Sequence, residues 1–78
     1  MEKKELILTY AGMDSWDRPI YTESGGKLWK DVSPMKYTKP QLCTSVNNEF
    51  DGEPCDNMYA IEEYNGVRIT FVPERVTW

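Results

Sequence analysis

Aliphatic, β-branched and aromatic residues gather in short runs separated by polar turn residues rich in Gly, Pro and Asn, and strands follow from that pattern. Residues 5–10, Glu-Leu-Ile-Leu-Thr-Tyr, combine aliphatic, β-branched and aromatic side chains, and the Ala-Gly-Met-Asp that follows ends them. They predict an N-terminal strand. Residues 18–22 and 27–32 are two further β-rich stretches on either side of Glu23-Ser-Gly-Gly, which predicts a hairpin whose glycines carry the turn through positive φ. A four-residue loop sets Tyr21 against Leu28, Ile20 against Trp29 and Arg18 against Asp31. Pro19 has no N–H to give a ladder, so its strand lies at an edge or begins there.

The C-terminal third predicts a second hairpin. Residues 58–64 and 67–72 flank Asn65-Gly66, the preferred dipeptide for a type I′ turn, and the two-residue turn sets Glu63 opposite Arg68. A competing reading makes residues 54–64 a short helix, with Pro54 in its first turn and Gly66 as a left-handed cap. Both readings leave 67–72 as a strand. Residues 33–57 hold three of the five prolines and read as a loop-rich connection, interrupted by a short strand at 41–45. The expected fold is mainly β, or α+β with one short helix: a small twisted antiparallel sheet or partly open barrel of two hairpins and an N-terminal strand.

Length confines this to one domain over residues 1–78, since a single core takes about 50 to 150 residues. The three Trp, five Tyr and two Phe supply a short chain with large buried areas. The longest apolar runs are far shorter than the roughly 18 residues of a membrane span, and the start Met-Glu-Lys-Lys-Glu has no apolar signal stretch. The expected location is cytoplasmic, with no membrane partner, and Cys43 and Cys55 are expected as free thiols. With no histidine in the chain, Ser-His and Cys-His nucleophile pairs and histidine metal sites are excluded.

Charge is distributed unevenly. Residues 40–67 contain no Lys or Arg and six acidic side chains, Glu49, Asp51, Glu53, Asp56, Glu62 and Glu63, in a chain of net charge −4. Such a segment repels phosphate and attracts a basic protein surface. Phe50 sits between two of the acids, where it either pins the loop to the core or is presented as an apolar anchor framed by steering charges. The candidate partner-binding residues are therefore Glu49, Phe50, Asp51, Glu53 and Asp56, for an unknown basic protein partner.

Other chemistries are weaker. Asn47-x-Glu49-x-Asp51-Gly52 follows the front half of a calcium loop, but its twelfth position is Met58 where a bidentate glutamate is needed. No cofactor and no catalytic residue is expected, and the chain is read as non-enzymatic. The alternative function is a nucleic-acid-binding accessory, in which Trp16, Trp29 and Tyr37 stack bases and Lys27, Lys30, Lys36 and Lys39 follow phosphates. A sequence pI near 4.7 opposes it.

Three segments, Asp14-Ser-Trp-Asp-Arg-Pro-Ile-Tyr, Asn47-Asn-Glu-Phe-Asp-Gly-Glu-Pro and Phe71-Val-Pro-Glu-Arg-Val-Thr-Trp, together resemble short proteins of gut Firmicutes and their mobile elements. They are also similar to one of the large polyvalent protein-associated domains, found in long proteins that phages and conjugative elements transfer. The resemblance implies an accessory role in the biology of such an element and carries over no catalytic residue.

Overall fold

Six strands form one open, mixed sheet in the computed structural model, which describes residues 5–64 and 66–77; residues 1–4, Asn65 and Trp78 lie outside the described set. The strands are β1 (Glu5–Met13), β2 (Pro19–Thr22), β3 (Leu28–Asp31), β4 (Leu42–Ser45), β5 (Pro54–Asn57) and β6 (Arg68–Val72), in spatial order β5-β4-β3-β2-β1-β6. Single 3₁₀ turns occupy Met58–Ala60 and Glu62–Tyr64, and Val46–Asn48 forms a turn with Asn47 and Asn48 at positive φ. The fold is mainly β, as the β-rich runs predict.

The first hairpin forms, but its register differs from the expected one by a residue: Tyr21 faces Trp29 and Ile20 faces Lys30. The cause is a tighter connection, in which Glu23 N donates to Lys27 O at 2.9 Å and Gly26 N to Glu23 O at 2.9 Å, with Gly25 and Gly26 both at positive φ. Arg18 and Asp31 consequently do not pair with each other. Pro19 opens β2, which lies between β1 and β3 and not at an edge. Residues 33–57 are less loop-rich than expected, since they contain both β4 and β5.

The C-terminal hairpin does not form. β6 pairs in parallel with β1, Leu6 opposite Ile69 and Leu8 opposite Phe71, so the sheet is mixed and not antiparallel throughout. Residues 58–64 are neither strand nor α-helix. They and Val67 run across one face through successive three-residue steps, Ile61 N to Met58 O, Tyr64 N to Ile61 O and Val67 N to Tyr64 O. Side chains three apart eclipse in 3₁₀ geometry, so Met58, Ile61, Tyr64 and Val67 all turn towards the core cluster of Leu6, Leu8, Tyr21, Trp29 and Leu42. Burying four apolar groups there outweighs the cross-strand pairs a two-stranded hairpin would gain.

Gly66 ends this segment at φ +74, in open space. Valine there is expected to cost about 1 to 2 kcal/mol through backbone strain alone, read as a lower urea midpoint at unchanged slope.

The core face is completed by residues 73–77. Val76 N donates to the Tyr21 hydroxyl at 2.9 Å, and Arg75 reaches the buried Asp31, Nε to Oδ2, at 3.5 Å. The Arg75 guanidinium also donates to the carbonyls of Ser33, Met35 and Thr38, fastening the β3–β4 loop.

Candidate partner-binding surface

The opposite face of the sheet carries the candidate site, because Lys30 and Ile20 point there while Trp29 and Tyr21 point into the core. Lys30 is 0% exposed, and a buried ammonium requires compensation. Its Nζ donates to Asp14 Oδ2 at 2.8 Å and to the carbonyl of Phe50 at 2.6 Å. Asp14 in turn shapes the β1–β2 loop: Oδ1 accepts from Trp16 N and Arg18 N, both at 2.9 Å, and Oδ2 also accepts from Arg18 Nε at 2.9 Å. Burial by itself raises the pKa of the Asp14 carboxyl, but hydrogen bonds from Lys30, from the Arg18 backbone and side chain and from Trp16 N prevail and hold it at about 2.

The loop joining β4 to β5, residues 46–53, folds over this buried ion pair. Asn48 fixes its near end, accepting from Leu28 N at 2.8 Å and donating to Gly26 O at 3.0 Å. Ser45 Oγ donates to Glu49 O. Gly52 is buried where a Cβ would come within 2.7 Å of Val46 O, so only glycine lets the loop close. At the far end Asp51 Oδ1 accepts from Ser15 N at 2.8 Å.

The loop therefore presents its acids outward. Glu49, Asp51 and Glu53 are exposed, and Phe50 lies outside the core cluster, 40% exposed with its ring edge against Gly12. The bond from Ser15 brings in a residue not expected there. Trp16 is 69% exposed, stacks over the Arg18 guanidinium at 5.9 Å and, with Arg18, Glu53 and Pro54, lines a groove of 220 Å³. Asp56 lies apart on edge strand β5, where it lines a separate, shallower groove of 520 Å³ with Lys27, Thr44 and Cys55. Four of the five expected residues thus share one surface, and Trp16 joins them.

The alternative nucleic-acid platform is not assembled as a unit. Trp29 and Lys30 are interior, and the Lys27 ammonium lies 5.1 Å from the centroid of the Trp29 ring and 5.5 Å from that of Tyr64. Trp16 and Tyr37 stay exposed, on two different loops. Cys43 is buried and Cys55 exposed, both as free thiols; burial pushes the Cys43 thiol up, against the direction a nucleophilic thiolate needs. Tyr64, pushed up to about 12 by burial and by its hydrogen bond to Glu23, is a fixed donor that ties the crossing segment to the first hairpin. Among the described residues no helix is long and apolar enough to cross a membrane.

No protein-family model, curated protein or solved structure matches this chain.

Proposed function

We propose that the protein is a non-enzymatic interaction module that binds a basic protein partner through the acidic β4–β5 loop and the adjoining Trp16. The observation that carries this reading is the Ser15 N to Asp51 hydrogen bond, which joins the loop bearing the exposed Trp16 to the acidic loop bearing the exposed Phe50, with Trp16 and Glu53 lining one groove. Rigid aromatic anchors framed by charge are the usual composition of an interface centre, with the charges steering encounter and the rings holding the complex. The loop is held at both ends by hydrogen bonds, so little ordering entropy is lost on binding. An accessory role in a mobile element, in the cytoplasm of its host, rests on the resemblance of the three segments.

The test is selection of peptides from a random display library on the immobilised protein. Enriched sequences are expected to be rich in Lys and Arg around an apolar residue. Their binding to the variant Glu49→Gln, Asp51→Asn, Glu53→Gln should weaken at least about tenfold at low salt and lose its salt dependence, as exposed charges act over about 10 Å at 0.1 M. Trp16→Ala should weaken binding with its salt slope intact. Enrichment of acidic or uncharged sequences, or a triple variant as salt-sensitive as the parent, would refute the reading.

A further inference from the structure

The two edges of the sheet differ in how they meet solvent. β5 is protected in the usual ways: four residues, a proline at its start, and the exposed Asp56 within it. β6, Arg-Ile-Thr-Phe-Val, has no proline or acid and consists almost wholly of residues that favour strands. Its inner edge pairs with β1, and among the described residues nothing pairs with its outer edge. Beside it on the solvent face lie Ile7, 53% exposed, and the exposed Val72. An open edge has unmet N–H and C=O groups that only another extended backbone can satisfy in series.

We propose that this edge pairs with β6 of a second copy, antiparallel about Thr70, to form a symmetric dimer with one continuous twelve-stranded sheet. A two-fold axis perpendicular to the sheet keeps each face with its like, so residues of the same parity must pair, and centring on Thr70 gives the longest overlap. That register sets Ile69 opposite Phe71 of the partner subunit, twice, and Thr70 opposite its own copy. Aromatic with β-branched, and threonine with threonine, are favourable cross-strand pairs. Charge also permits the contact: Arg68 and Glu5, paired across β6 and β1, offset each other at this edge, while the acidic loop belongs to strands at the far side of the sheet. Each dimer would carry its two acidic surfaces at opposite ends, although the inference stands without any partner bound there.

Sedimentation equilibrium up to about 0.5 mM, which detects a Kd tighter than about 1 mM, is expected to show the mass rising from 9.1 kDa towards twice that value. Thr70→Lys places like charges directly opposite at the axis and should hold the protein at the monomer mass, with circular dichroism and urea midpoint unchanged because Thr70 is exposed. In a Cys55→Ser background, Thr70→Cys should cross-link on mild oxidation at least about tenfold faster than Ser24→Cys on the exposed β2–β3 turn, since a thiol at the axis meets its copy within bonding range. Monomer mass throughout, a dimer that Thr70→Lys leaves intact, or cross-linking no faster at 70 than at 24 each overturns the proposal, and monomer mass would leave the edge to a strand from a different protein.

Discussion

Lys30→Met is expected to cost about 3 kcal/mol or more, a large part of the stability of a chain this size, for which roughly 0.05 to 0.15 kcal/mol per residue is typical. Methionine fills most of the space, so the loss is electrostatic. The substitution leaves the buried Asp14 carboxylate with Arg18 as its one cationic partner among the described residues and deprives the Phe50 carbonyl of the Lys30 ammonium. An uncompensated buried charge costs far more than a lost surface pair, which is worth about 0 to 1 kcal/mol. Lys36→Met, on the exposed β3–β4 loop, is the matched control and should change stability by less than about 0.5 kcal/mol. Urea unfolding followed by fluorescence of the buried Trp29 measures the global effect. Proteolysis within residues 46–53 measures the local one and should speed up by more than global stability accounts for, because the Lys30 tether holds the loop directly. A loss under about 1 kcal/mol would show that the Lys30–Asp14 pair is not what closes this face.

The same ion pair shows why part of the fold was legible in the sequence and part was not. The strands within 5–10, 18–22, 27–32 and 67–72 are readable because β-rich composition and turn glycines are local properties. Register is not, since one residue of turn length moves Lys30 from opposite Pro19 to opposite Ile20, and no local signal separates a three-residue from a four-residue connection that contains two glycines. The structure departs furthest from the sequence expectation at residues 58–67, where Asn-Gly and the Glu63–Arg68 pairing predict a hairpin. A signal for the observed path was present in the apolar spacing Met58, Ile61, Tyr64, Val67, a period of three that fits neither strand nor α-helix and matches a chain of 3₁₀ turns. It was masked by the turn dipeptide, whose Asn65 lies outside the described residues.

For the candidate site, charge counting found the acidic loop, because an excess of one sign over 28 residues does not depend on the fold. Trp16 was assigned to a different surface. Its loop meets the acidic loop through the bond from Ser15 N to Asp51, 36 residues apart in the chain, and long-range juxtaposition of that kind is a product of topology. Lys30, counted as a phosphate contact, proved to be the buried counter-ion around which the loop is built. Among the described residues no Lys or Arg pairs with a carboxylate of the acidic segment: Lys30 reaches it at the Phe50 carbonyl and Ser15 N at Asp51, and Glu49 and Glu53 stay exposed.

Acid should weaken the fold through Asp14 in a defined window. The carboxyl is held at about 2 in the folded protein against an ordinary value of 3.8. Because the folded value is the lower, the unfolded chain takes up the proton first, and the stabilisation is complete above about pH 4 and lost as pH falls through about 2. Nearly two units correspond to about 2 kcal/mol. Asp14→Asn keeps an oxygen to accept from Trp16 N and Arg18 N but removes the charge that Lys30 and Arg18 require, so the variant should be the less stable protein at neutral pH. Its stability should then change less than the parent's between pH 4 and pH 2, and the two curves should converge as the parent's carboxylate becomes neutral. Circular dichroism during urea titration at half-unit steps of pH resolves this. Parallel curves for parent and variant across that interval would place the acid sensitivity in other carboxylates and remove Asp14 as the charge that compensates the Lys30 ammonium beneath the acidic loop.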